Sequence, residues 1–261
     1  MINLNRVFAI MYRYLLSMKH SYDRLGDMFY WPALDLLIWG LTGLYIIKLS
    51  ANNQNIILIM LTGLIYWMVI WRSQYEITTN LLQELWDKNL INIFISPLKI
   101  SEWITAVMTF GFIKMIITIS FSAILARILY GYPISIFGLY TIPIILSLVL
   151  TGWSVGFIVA GIIIRFGQKI QTLAWTGAVL ISPFSALYYP LDILPEWAQK
   201  IAWFVPSSHI FEGMREIIFT GNLTYDKLYI SFGLNIVYLI AAICFFNFMF
   251  KKTKDIGLDR L

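Results

Sequence analysis

The chain has 261 residues, of which 59% are hydrophobic and only 13% charged, with a net charge of +5. A soluble domain carries about 25% charged residues, so this composition excludes an ordinary soluble enzyme and a disordered chain. Long apolar runs point instead to an all-α, polytopic membrane protein forming a single domain over residues 1–261.

The lone Cys244 has no partner for an internal disulfide, and His20 and His209 lie far apart without zinc-site spacing. No metal site is expected. The excess of lysine and arginine follows membrane topology rather than a nucleic-acid footprint, so no nucleic-acid partner is expected.

Arg6, Arg13, Lys19 and Arg24 break up the N-terminus, which leaves no apolar core for a signal peptide. Leu4, Val7, Phe8, Met11, Leu15 and Met18 recur at helical spacing, with Arg6, Arg13 and His20 on another face. Residues 1–28 are expected to lie in the membrane interface as an amphipathic helix, cations toward lipid phosphates.

Six segments are long and apolar enough to cross about 30 Å of hydrocarbon. They run from Phe29 to Ile47, Ile56 to Trp71, Trp103 to Leu125, Ile134 to Ile164, Ile170 to Tyr189 and Leu228 to Phe250. The second is short; the fourth is long and contains Pro143, so a tilt, a kink or a start outside the bilayer is expected. With the N-terminus inside, thirteen basic residues fall on the cytoplasmic side and five outside. This bias predicts a multi-pass protein with both termini cytoplasmic.

Two ionisable residues interrupt the spans. Asp35 sits in the first and Lys114 in the third. A charge at the bilayer centre costs about 2.5–3.5 kcal/mol on insertion scales. At 1.5 Å per residue their depths differ by roughly 8 Å, so they either pair with one another or line a pathway. Asp35 is also near enough to the inner interface for simple solvation. Gly40 with Gly43, Gly152 with Gly156, and Gly161 offer close helix approach, within the chain or between copies. Trp39, Trp67, Trp153 and Trp175 either line a path or face lipid and neighbouring helices.

Two connections are long. Residues 72–102 hold Leu81, Leu82, Leu85 and Trp86 on an apolar stripe beside Glu84, Asp87 and Lys88, ending at Ser96-Pro97. A short cytoplasmic helix is expected, either projecting to a partner or lying on the membrane. Residues 189–227 are divided by Pro190, Pro195 and Pro206. Pro195 opens one short helix through Phe204, and Ser207 or Ser208 caps another that Gly221 stops. In that second helix Ile210, Phe211, Met214, Ile217 and Ile218 share a face, opposite Glu212, Arg215 and Glu216. Two amphipathic helices so close to a membrane predict an external re-entrant hairpin. Asn222-Leu223-Thr224 matches a glycosylation sequon.

The chain has no G-x-x-x-x-G-K-[ST] phosphate loop, no H-E-x-x-H, no G-x-S-x-G and no G-x-G-x-x-G. Any ATP that drives it binds elsewhere.

The order of these features resembles the type-2 exporter permeases of ATP-binding-cassette transporters, which include drug, lipid and polysaccharide exporters. The resemblance is carried by Pro183-Phe-Ser-Ala-Leu-Tyr-Tyr-Pro-Leu-Asp-Ile-Leu-Pro195, then Pro206-Ser-Ser-His-Ile-Phe-Glu-Gly-Met-Arg215, and by Leu82-Gln-Glu-Leu-Trp-Asp-Lys-Asn-Leu-Ile-Asn-Ile-Phe-Ile-Ser-Pro-Leu98. It implies a transport subunit without its own ATPase site, in the plasma (inner) membrane, paired with a second permease copy or close paralogue. Two ATP-binding-cassette ATPase subunits, carrying ATP and Mg²⁺, would dock underneath. No cofactor would bind this chain. Glu84, Trp86, Asp87 and Lys88 become candidates for the ATPase-coupling interface. The external hairpin becomes the outer gate, with Pro195, Trp197, Pro206, Phe211 and Arg215 in it. Asp35 and Lys114 match no motif of that family. The competing class is an integral-membrane enzyme acting on lipid-linked substrates, for which Asp192, Glu196, His209, Glu212 and Glu216 are the dense external candidates.

Overall fold

A computed structural model describes residues 2–49 and 55–256; among them the chain is helical throughout, with no strand. An N-terminal helix, α1 (Leu4–Lys19), precedes α2 (Tyr22–Leu49), α3 (Asn55–Trp86) and a short α4 (Leu90–Ile95). Then follow α5 (Ile100–Tyr130), α6 (Thr141–Phe166), α7 (Leu173–Thr176), α8 (Glu196–Trp203), α9 (Pro206–Thr220) and α10 (Tyr225–Ile256). Five of these helical stretches are long and apolar enough to cross a membrane: Arg24–Leu49, Asn55–Trp86, Ile100–Tyr130, Gly138–Ile170 and Tyr225–Lys254.

The second expected span is not short. No glycine or proline occurs between Gly63 and Pro97, so nothing stops α3 at Trp71, and it continues to Trp86. Leu81, Leu82 and Leu85, expected on a separate cytoplasmic helix, are the buried last turns of α3. The expected 72–102 connection therefore shrinks to the turn after Trp86, α4, and the approach to α5. Pro143 sits in the first turn of α6, where its missing N–H bonds nothing in any helix.

The fifth expected span is broken. Residues 167–184 form a 3₁₀ turn opening at Gly167, the four-residue α7 and, after Gly177, a second 3₁₀ stretch that contains Pro183. Gly167 has φ +68 and ψ −153, a conformation that side chains with a Cβ rarely adopt. Backbone groups freed by such a break need new partners inside a bilayer. Gln74 of α3 supplies them: its Nε2 donates to the Ala174 carbonyl at 2.9 Å, and its Oε1 accepts from the Ala178 N–H at 3.3 Å. Thr78 Oγ1 also donates to the Ala174 carbonyl at 2.8 Å.

Helices α6 and α10 run in the same direction. Ser147 meets Ser231 at 2.7 Å, Thr151 Oγ1 donates to Asn235 Oδ1 at 2.9 Å, and Phe157 meets Phe246 further along. The Asn235 amide also donates to the Ser147 carbonyl at 2.9 Å. Buried polar contacts of this kind contribute about 0.6 kcal/mol each in membrane proteins. Because α6 and α10 are parallel, the chain between them returns the length of the bundle. It does so along α3, from Gln74 beside Ala174 to Gly63 beside Leu187.

The small residues are internal. A Cβ at Gly152 would lie 2.6 Å from the Ile70 carbonyl and 2.7 Å from Ser73 Cβ, and one at Gly156 would lie 3.0 Å from Ile77. Gly40 fits against Tyr130, Gly43 against Ile57 and Gly161 against Phe245. Gly152→Ala is expected to destabilise the protein by about 1–3 kcal/mol through overpacking. Gly233→Ala in α10, with nothing within 4 Å of its Cβ, is the control expected to cost nothing. Thermal unfolding followed by size-exclusion chromatography compares the two.

Candidate functional site

Three regions carry the polar chemistry, and the first is a buried charge network joining α2, α3 and α5. Arg72 of α3 is 0% exposed. Its Nη1 donates to Asp27 Oδ2 at 2.6 Å and its Nη2 to the Asp27 carbonyl at 3.0 Å. The guanidinium also lies 5.0 Å from the Trp71 ring centre and 5.5 Å from that of Tyr75. One turn on, Glu76 lies 3.5 Å from Arg72 and pairs with Lys114 of α5. Gly111 makes this approach possible, since a Cβ there would be 2.8 Å from Glu76 Cβ. Two cations thus meet two carboxylates at little exposure, where an unmatched charge is costly.

The structure resolves the two intramembrane charges differently from the expected pair. The partner of Lys114 is Glu76, not Asp35. Asp35 instead lines a cavity of about 510 Å³ among Trp31, Trp67, Trp71, Tyr75 and Trp175. A second cavity of about 310 Å³ adjoins it on the inner side, lined by Arg24, Glu76, Asn80, Gln83 and Lys114. The two share Asp27, Tyr75 and Trp175. Of the four tryptophans considered for a path, Trp67 and Trp175 line this cavity and Trp39 lines another near the outer end. Trp153 packs against the core.

The second region is the inner end. Glu84, expected at a partner surface, is 1% exposed. It pairs with Arg13 and accepts hydrogen bonds from the Tyr14 hydroxyl at 3.0 Å and Asn89 Nδ2 at 2.9 Å. Trp103 Nε1 donates to Tyr14 in turn at 2.9 Å, and burial pushes the Tyr14 phenol up to about 12. Glu102 accepts the backbone N–H of Lys99 and of Asn3, each at 2.9 Å, and lies 3.5 Å from Arg6. So Arg6 and Arg13 face protein carboxylates rather than lipid phosphates. The outward face of α1 is apolar, with Leu4, Phe8, Tyr12 and Leu15 exposed.

Trp86, Asp87 and Lys88 are exposed. Lys88 adopts φ +51, so the turn holds a non-glycine residue in a left-handed conformation. Trp86 Nε1 donates to Gln171 Oε1 at 3.3 Å, and its ring lies 6.3 Å from that of Trp175. The exposed turn therefore touches the broken segment that borders the aromatic cavity.

The third region is the pair α8 and α9. Pro195 precedes α8 and Pro206 occupies the first turn of α9. Neither Ser207 nor Ser208 caps α9: Ser207 bonds Ser185, and Ser208 donates to the Ala202 carbonyl. Phe211 is buried, and Trp197 is exposed with its ring edge against Phe184. Arg215 is buried to 9% exposure; it donates to the Ala186 carbonyl at 2.9 Å and to Glu212 at 2.5 Å. Glu212 also accepts the Leu191 N–H at 3.0 Å, which staples the 186–191 turn to α9. Glu216 accepts from Lys227 Nζ at 2.9 Å, and these hydrogen bonds hold its carboxyl below the usual range. His209 bonds the Trp203 carbonyl at 2.8 Å. These external acids and the histidine are engaged with their own helices and turns. Among the described residues no group of three or more His, Cys, Asp or Glu side chains is placed to hold a metal ion.

Sequence reasoning missed Arg72, Gln74 and Glu76 because residues 72–102 read as a connection, and Asp27 because residues 1–28 read as an interfacial helix. The signal was present: Arg72 and Glu76 stand at i, i+4, and Ile77, Leu81 and Leu85 continue the helical stripe.

Five helices long and apolar enough to cross a membrane fit a multi-pass membrane protein. The family described as ABC-2 type transporter matches residues 6–219, and the chain belongs to it. Its members are membrane transport permeases, and membership implies association with an ATP-binding partner. No curated protein matches the chain.

Proposed function

We propose that the chain is the permease subunit of an ATP-driven exporter, working as a pair of permeases above two separate ATPase subunits. The observation that carries this reading is the exposed Trp86–Lys88 turn, anchored beneath by Glu84 and joined through Gln171 and Trp175 to the broken segment. A push on that turn from an ATPase would reach the wall of the cavity. Transport then follows from a shift between closed and open arrangements that ATPase contact favours differently, with no bond chemistry in this chain.

The parallel run of α6 and α10 supports counting the returning segment 167–189 as a crossing. Six crossings, with the positive-inside bias, put both termini in the cytoplasm of a plasma (inner) membrane. The exposed apolar face of α1 supports its lying in the inner interface. The stapled α8–α9 pair would form the re-entrant outer gate, with Trp197 on its free side and Arg215 as its internal clasp.

Affinity purification of the tagged chain in mild detergent tests this reading. A stoichiometric partner with a phosphate loop and ATPase activity is expected, with ATP-dependent uptake into inside-out vesicles. A homogeneous chain with no partner and no ATPase would overturn it.

A further inference from the structure

The midpoint of the 28-residue α2 falls at Asp35. An ionisable group within a span faces the bundle interior or a wet cavity and marks a ligand or ion path. Among the described residues Asp35 makes no ion pair and no hydrogen bond, whereas Asp27 is matched by Arg72 and Lys114 by Glu76. The cavity it lines carries four indoles and one phenol, with Asp27, Met68 and Val179 besides, and no lysine or arginine. The Arg72 guanidinium already lies over Trp71 and Tyr75, which leaves Trp31, Trp67 and Trp175 for a ligand. Trp31 is 51% exposed and stands at the rim.

We propose that this cavity of about 510 Å³ binds a lipophilic organic cation, held by the aromatic rings and by Asp35 as its counter-charge. Ring faces attract a cation, and more strongly once it is desolvated. An anion would meet two carboxylates and no free cation. A neutral apolar molecule would leave Asp35 unpaired. A bare metal ion needs several oxygen donors, and the cavity offers a single uncompensated carboxylate. The adjoining inner cavity, sharing Asp27, Tyr75 and Trp175, supplies a route from the inner end. This deepens the exporter reading by naming the class of molecule carried.

The test uses the full-length permease in nanodiscs with radiolabelled tetraphenylphosphonium, and with tetraphenylborate as a charge-reversed ion of the same shape. Saturable binding of the phosphonium but not the borate is expected. Asp35→Asn should weaken it at least tenfold, Asp35→Glu should keep it within a few-fold, and Trp31→Ala should weaken it several-fold. If Asp35→Asn does not fold, Trp31→Ala and the ion pair of probes decide. Equal binding of both ions overturns the proposal. So does unchanged phosphonium affinity in Asp35→Asn, or binding of a neutral maltooligosaccharide that depends on Trp31 but not on Asp35. Because binding is read on the permease alone, an absent ATPase with intact cation binding would sink the exporter reading and leave the site standing.

Discussion

Lys114→Met is expected to lose most folded protein, and Glu76→Gln combined with Lys114→Met to recover much of it. Lys114 and Glu76 are both nearly inaccessible, and Glu76 is also 3.5 Å from Arg72. Removing the lysine leaves a nearly inaccessible carboxylate beside one cation that is already bound to Asp27. Breaking a buried pair from one side costs about 3–5 kcal/mol, whereas neutralising both partners often costs far less. The measurement is a double-mutant cycle on yield and thermal midpoint of the detergent-purified protein, with a coupling of about 1 kcal/mol or more expected between neighbours. Asp35→Asn combined with Lys114→Met should show no rescue. Rescue by Asp35 and none by Glu76 would return Lys114 to the pairing expected from spacing and sink the network described here.

Trp86→Ala is expected to weaken ATPase association while leaving membrane insertion intact. A tryptophan at the centre of an interface typically costs roughly 2 kcal/mol or more on truncation, close to thirtyfold in affinity. Asp87→Lys with Lys88→Glu should act on the same surface, since both residues are exposed. Glu84→Gln should behave differently. It loosens the junction with Arg13, Tyr14 and Asn89, so its signature is a lower thermal midpoint rather than a lost partner. Gln171→Ala removes the hydrogen bond between Trp86 and the broken segment and leaves the Trp86–Trp175 ring contact in place. It should keep the ATPase bound and reduce transport. Unchanged partner binding and transport in Trp86→Ala would remove the turn from the coupling path.

Much of the candidate site was legible once the helix containing it is drawn correctly. Trp86, Asp87 and Lys88 stand exposed at the inner end, as the pattern after the second span suggests. The hairpin helices also lie close to where the prolines set them, with Gly221 at φ +78 ending α9. Glu84 shows the limit. It sits between charged neighbours in the sequence, yet it is buried because α1 brings Arg13 and Tyr14 across the end of α3. A charge run reads as a solvated face only until another element covers it.

Composition and hydropathy determine that this is a helical membrane protein. Those properties depend on the solvent each residue prefers, and every residue reports its preference locally. The tertiary structure decided which charges meet. Asp27, Arg72, Glu76 and Lys114 come from three helices, and spacing along the chain holds no record of how those helices rotate about their axes. It also decided that residues 167–184 run as a broken segment, because Gln74 and Thr78 on α3 satisfy the backbone groups that the break sets free. Hydropathy sees the same apolar stretch in either case, and only a neighbouring helix with the right hydrogen-bonding side chains makes the irregular backbone tolerable in a bilayer.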